Sequence, residues 1–96
     1  MTDFRVIHNQ DEKRFEVHDC EEIATLTYDL EPDRIVFLHT EVPPVCEGRG
    51  IGSGLVRAGL EYARSQGLGA VVLCKFMRGY VNRHPEYHDL IREPWM

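Results

Sequence analysis

The sequence has no long apolar run, no closely spaced pair of cysteines and no excess of positive charge, and each absence removes a class of function. Its unbroken apolar stretches, such as 35–38 and 70–74, fall far short of the roughly 20 residues that a membrane-spanning helix needs. The opening Met1-Thr2-Asp3-Phe4-Arg5 lacks the basic-then-apolar order of a secretion signal. An intracellular, cytoplasmic protein with no membrane partner is therefore expected. Lys and Arg number 11 against 16 Asp and Glu, a formal net charge of −5. That balance argues against a nucleic-acid binder and suits a cationic partner such as an amine. The three cysteines, Cys20, Cys46 and Cys74, are odd in number, widely spaced and free of any C-x-x-C pair. They suggest neither a disulfide framework nor a zinc site, so reduced thiols are expected. There is no internal repeat and no low-complexity stretch.

What is present fits a single domain over 1–96, because 96 residues at 43% hydrophobic content can fill one core. Residues 4–9 and 14–18 carry apolar side chains at alternate positions around the polar turn Asn9-Gln10-Asp11-Glu12, which predicts a hairpin. Residues 22–30 alternate Ala24, Leu26, Tyr28 and Leu30 against Ile23, Thr25, Thr27 and Asp29, and Glu31-Pro32-Asp33 turns the chain. The continuous run Ile35-Val36-Phe37-Leu38 within 34–42 reads as a central strand covered on both faces. Residues 50–66 place Ile51, Leu55, Ala58, Gly59, Tyr62 and Ala63 at helical spacing, with Gly67 suited to the position just past the end. Gly54 and Gly59 each weaken that helix by roughly 1 kcal/mol against Ala, which close packing on a sheet would explain. Residues 70–74 form a short apolar strand, so strand–helix–strand predicts a βαβ crossover with 36–38 and 71–73 parallel. A short helix over 76–83 follows, interrupted by His84-Pro85. A further turn is expected over 86–91, and Trp95 is expected to pack the tail down.

The most informative segment is Glu47-Gly48-Arg49-Gly50-Ile51-Gly52-Ser53-Gly54-Leu55, between a strand and an amphipathic helix. Glycines let a bulky anion approach the main chain. The first amides of a helix have no internal partner and carry the positive end of its dipole, so a phosphate is a natural ligand. Arg49 adds a charged side chain. There is no Gly-Lys pair for a P-loop, and neither Gly48 nor Gly50 begins a complete G-x-G-x-x-G. The segment matches the coenzyme A signature Q/R-x-x-G-x-G/A of the GNAT superfamily except at its first position, Glu47. A glycine-rich helix entry that binds nothing is the competing reading.

His39-Thr40-Glu41-Val42-Pro43-Pro44, the glycine turn, Glu61-Tyr62-Ala63-Arg64, and Cys74 followed by Arg78, Tyr80 and His84-Pro85-Glu86-Tyr87 together resemble the minimal, YjdJ-type GNAT-like domain family. The resemblance covers 39–91 well; before that only the strand pattern agrees. It implies a trimmed α/β GNAT fold: a mixed, mostly antiparallel sheet with a βαβ crossover and a short C-terminal helix. It also implies acetyl-CoA as donor substrate and N-acetyl transfer to an amine, either a small molecule or a protein lysine. The pantetheine would run along the strand ending at Val42. The pyrophosphate would sit on the amides of Gly48, Arg49, Gly50, Ile51, Gly52 and Ser53, and the acetyl group would lie near Cys74.

Four side chains are candidates for the chemistry. Cys74 ends an apolar strand before a helix, with the cations Lys75 and Arg78 close in sequence, a setting that favours the attacking thiolate. It would accept the acetyl group as a thioester, or else cap the core as an inert buried thiol. His39 and Glu41, two apart on a strand, face the same way. Either would serve as the base for an ammonium acceptor, or they are a core histidine beside an exposed acid. Tyr80 falls where many GNAT members carry a tyrosine that protonates departing coenzyme A; its alternative is core packing. His84 and His88 are four apart, but Pro85 between them argues against a metal pair, and no metal is expected. Three readings follow: an acetyl-CoA-dependent acyltransferase, a coenzyme A or acyl-CoA binding module with little turnover, and a structural interaction domain.

Overall fold

Alternating apolar residues build four consecutive antiparallel strands, and a helical crossover adds the fifth. The structure, a computed structural model, describes residues 4–92, so Trp95 lies outside the described residues. The strands are β1 (Ile7–Asn9), β2 (Arg14–Cys20), β3 (Glu22–Glu31), β4 (Arg34–Glu41) and β5 (Gly69–Val72), hydrogen-bonded in that order in one sheet. The first three pairings are antiparallel and the last is parallel. In it Val36 pairs with Val71 and Phe37 with Val72, as the strand–helix–strand order predicts. The 3₁₀ turn Pro44–Cys46 leads from β4 to helix α1 (Ile51–Ser65), and helix α2 (Lys75–Asn82) and the 3₁₀ segment Pro85–Leu90 follow β5.

The helix lies on one face of the sheet. Leu55, Val56, Gly59, Leu60 and Ala63 are buried on α1, and Phe15, Val17, Ala24, Leu26, Tyr28, Ile35 and Phe37 are buried beneath it. Each fully buried branched side chain contributes about 1.5–3 kcal/mol. A Schellman motif ends the helix: Leu68 N donates to the Ala63 carbonyl, Gly67 N to that of Arg64, and Gly67 has φ +67.

At Gly59 the helix packs directly on the side chains of the sheet. A Cβ there would stand 2.7 Å from Phe37 Cε1 and 3.0 Å from Leu26 Cδ2. Gly54 faces the Phe4 ring in the same way, at 2.6 Å. Gly59→Leu is therefore expected to destabilise the fold by about 1–3 kcal/mol through overpacking, despite leucine's better helix propensity. Urea unfolding checks this, and an unchanged midpoint would show that the helix stands off the sheet.

Four expectations are corrected. First, β4 is covered on one face only: Ile35 and Phe37 are buried, whereas Val36 is half-buried and Leu38 is 38% exposed. The β3–β4 register shifts between Thr27, opposite His39, and Tyr28, opposite Phe37, which leaves Leu38 unpaired. The apolar run 35–38 thus reflects a bulge and an open outer face. Second, the cysteines are not all reduced thiols, since Cys20 and Cys46 form a disulfide and Cys74 alone is free. Sheet pairing closes their sequence separation of 26, which spacing in the chain does not show. Third, the first strand is shorter than 4–9; Phe4 and Val6 pack against the core from outside it. Fourth, β5 stops at Val72, so Cys74 is the residue that caps α2 rather than the end of the strand.

The outer face carries a polar network. Glu16, 4% exposed, accepts from Asn9 Nδ2 (3.0 Å), from His18 Nε2 (2.8 Å) and from Arg14. The Arg14 guanidinium above all, against the opposing cost of burial, holds the Glu16 carboxyl at about 2.

Candidate functional site

The chain leaves β4 through Pro43-Pro44 and turns into α1 over two left-handed glycines, Gly48 (φ +85) and Gly50 (φ +75). Only glycine adopts these angles without strain. Nothing lies within 4 Å of where a Cβ would stand on either, so the main chain there is bare. Gly50 caps α1, and the first intrahelical bond runs from Gly54 N to Gly50 O (3.0 Å). The amides of Ile51, Gly52 and Ser53 precede that ladder and sit at the positive end of a 15-residue helix.

These amides border a cleft of about 450 Å³, within the size range of small-ligand sites. Thr40 lines it from β4 and Val42 from just past the end of that strand, 46–48 and 50–53 from the turn and the start of α1, and Phe76 from α2. The ring of Phe76 lies over Gly52, where a Cβ would meet its Cζ at 2.9 Å. Gly52 is thus needed for the ring as well as for the backbone.

Of the residues singled out for the donor, Val42, Gly48, Gly50, Ile51, Gly52 and Ser53 all line this cleft. Arg49 does not; its guanidinium donates to the Asp19 carbonyl (3.2 Å) at the end of β2. Glu47 is exposed at the rim.

The four chemical candidates are not gathered at one point. Cys74 is 5% exposed and its sulfur shares a hydrogen bond of 3.1 Å with Thr40 Oγ1. Thr40 lines the cleft, so one contact separates the thiol from it. Arg78 Nε donates to the Val72 carbonyl (3.1 Å), and Lys75 is exposed. His39 and Glu41 pair with Thr27 and Thr25, whereas Thr40 pairs with Leu26, which faces α1. His39 and Glu41 therefore point to the outer face, away from α1, and both are exposed. Tyr80 is buried at 6% exposure, stacked on His84 at 3.9 Å, and does not line the cleft. Burial first, then Glu86 and Glu61, push its phenol pKa up, with Arg57 opposing. His84 Nδ1 donates to the Tyr80 carbonyl (2.7 Å) and His88 Nε2 to that of Val81 (3.0 Å). No group of His, Cys, Asp and Glu among the described residues is arranged to hold a metal ion.

Sequence reasoning missed Thr40, Cys46 and Phe76 as cleft residues. Thr40 was within reach, since it lies two residues before Val42 and alternation gives both the same face. Nothing local marks the other two. A second recess of about 460 Å³ lies beside α1, lined by His8, Phe15 and Tyr62 among others. Its histidine is held by the Tyr28 hydroxyl (2.6 Å) and stacked on Phe15. It has neither a helix start nor a thiol.

A parallel strand pair, a glycine turn at the helix between them and a cleft bordered by that turn characterise this α/β domain. Residues 14–90 match the GCN5-related N-acetyltransferase family, and the chain belongs to that family. The protein NATD1 of Mus musculus is 37% identical over 84 residues, covering 84% of this chain and 76% of its own length. NATD1 of Danio rerio is 30% identical over 95 residues, covering 94% and 86%. A GCN5-like protein from Staphylococcus aureus, solved by NMR in solution, superposes with a TM-score of 0.72 at 26% identity, over 99% of this chain and 96% of its own. No described helix is long and apolar enough to cross a membrane.

Proposed function

We propose that this chain is an N-acetyltransferase that takes acetyl from acetyl-CoA and passes it to an amine, with 1–96 working as one domain. The observation that supports this most is the bare glycine turn at the start of α1, which opens its amides onto the cleft. The residues present fit the donor. Amides from Gly48 to Ser53 would hold the pyrophosphate, with Thr40 and Val42 along the pantetheine and Arg49 able to add charge. The acidic chain, at −5, favours a cationic acceptor, a small amine or a protein lysine, over nucleic acid or membrane. The reaction is cytoplasmic in this reading, and the Cys20–Cys46 disulfide is the feature that argues the other way.

The chemistry assigned to this chain's residues runs in two transfers. The Cys74 thiolate attacks the thioester carbonyl, and the bond from carbonyl carbon to coenzyme sulfur breaks. The departing thiolate takes a proton; Tyr80 is the acid assigned to this step, and because its buried hydroxyl does not line the cleft the assignment requires the ring to move toward the coenzyme sulfur. The neutral amine then attacks acetyl-Cys74, the amide forms, and the Cys74 thiolate returns. Glu41 or His39 takes the amine's proton if the acceptor approaches from the outer face.

A second reading, a coenzyme A binding module with little turnover, is favoured by one observation: the thiol and the two bases lie on opposite faces of the sheet. Calorimetric titration with coenzyme A, followed by intact mass spectrometry after incubation with acetyl-CoA, tests both. Binding, then one added acetyl group that disappears when an amine is supplied, is expected. Binding with no acetyl transfer would leave the module, and no binding by the folded chain would sink both.

A further inference from the structure

We infer that the Cys20–Cys46 disulfide is a redox modification site that sets the affinity of the adjoining cleft, oxidised tight and reduced weak. The inference rests on the coenzyme reading of that cleft and adds its regulation. Cys46 stands in the cleft wall, two residues before Gly48, and its side chain is fully buried. Cys20, 3% exposed, is the last residue of β2. The bond therefore fixes the start of the glycine turn to the end of a strand 26 residues earlier.

The turn's backbone hydrogen bonds in this region are short-range. Cys46 N donates to the Pro43 carbonyl (2.8 Å) and Glu47 N to that of Pro44 (3.2 Å). Those bonds shape the 3₁₀ turn without placing it against the sheet. Two of the links that tie the turn to distant residues are the disulfide and the Arg49 guanidinium on the Asp19 carbonyl (3.2 Å). Both end on neighbouring residues, Asp19 and Cys20. Breaking the sulfur link removes the covalent tie and leaves the turn held by the packing of Cys46 in the core and by hydrogen bonding that is partly exposed, a weaker hold that opens more readily. A cradle that must then be ordered on binding loses affinity to the entropy of ordering it.

The step is thiol–disulfide exchange with a dithiol reductant. One reductant thiolate attacks a sulfur of the pair, the sulfur–sulfur bond breaks, and the other cysteine leaves as a thiolate and takes a proton. The second reductant thiol displaces the protein from the mixed disulfide. The reductant ends as a disulfide and the protein with two thiols. Because both sulfurs are buried, attack needs the turn to move away from β2. A ligand seated against Cys46 opposes that movement, so by linkage it protects the bond by the same factor as the bond strengthens its binding.

The test uses the wild-type chain in both redox states, with coenzyme A as the probe. Alkylation labels Cys74 alone in the oxidised chain and all three cysteines after dithiothreitol. Titration calorimetry is expected to show binding at least about fivefold weaker in the reduced chain. Saturating coenzyme A is expected to slow reduction by dithiothreitol, followed by alkylation and intact mass. Cys20→Ser should bind like the reduced form. Equal affinity in two folded forms of verified thiol count overturns the inference, as does a chain in which all three thiols resist oxidation. Global unfolding on reduction, seen by circular dichroism, also overturns it by making the bond purely structural. Absence of binding in both forms overturns the coenzyme reading itself.

Discussion

Replacing Gly50 with glutamate is expected to weaken coenzyme A binding at least about 100-fold, or ~3 kcal/mol. Gly50 caps α1 at φ +75, with open space where a Cβ would stand. A side chain there has open space around it at a residue that lines the cleft, within reach of the position assigned to the pyrophosphate. Two like charges about 4 Å apart repel by roughly 4 kcal/mol near a protein surface. A side chain in the left-handed region also costs about 1–2 kcal/mol, a cost borne by the fold with or without ligand and so read in stability rather than in affinity. Gly50→Ala carries that backbone cost without the charge. Calorimetry on both variants, with unfolding curves to confirm that each is folded, separates the two effects. Alanine should lose little affinity and glutamate nearly all of it; equal, undiminished affinity would remove the glycine turn from the binding site. Gly52→Glu is a poorer probe, since its Cβ would press on the Phe76 ring.

Cys74→Ala is expected to bind coenzyme A as the wild type does and to release it from acetyl-CoA at least roughly 100-fold more slowly in the presence of an amine. This loss is modest beside that of the nucleophile in a serine protease. The sulfur touches Thr40, and Thr40 lines the cleft, so removing one sulfur leaves the binding surface in place. The rival is direct attack by the amine, with Glu41 or His39 as base. It predicts equal rates, because the thiol would then be only part of the wall. Both bases are exposed on the outer face, so Glu41→Gln and His39→Ala report from which side the acceptor arrives. A thermal melt guards against a packing effect, Cys74 being buried.

The fold was legible wherever local pattern and topology agree. Ala24, Leu26 and Tyr28 alternate because β3 has one buried face, and all three are buried. The parallel pairing of Val36 with Val71 follows from the helix between two apolar strands. The apolar run 35–38 misled because continuity implies two covered faces, whereas here a bulge at Leu38 and an open outer face produce it. The glycine turn was legible because its chemistry is carried by backbone angles that only glycine adopts. Less of the cleft was legible where it depends on residues distant in sequence. Cys46 meets Cys20 only after three strands have paired, and Phe76 reaches Gly52 from a helix beyond β5. Attention to proton-transfer residues favoured His39 and Glu41 over the hydroxyl between them, although the same alternation that aligns those two sends Thr40 to the cleft.

The borders of the sheet have a consequence for self-association. Unpaired strand borders recruit other chains, and proteins that stay dispersed shorten or cover them. Here β1 is three residues long. On the opposite border Ala70 is bridged by Ile91, with Arg92 N on the Ala70 carbonyl at 2.8 Å. Each border thus offers a neighbouring molecule little length to extend by backbone pairing.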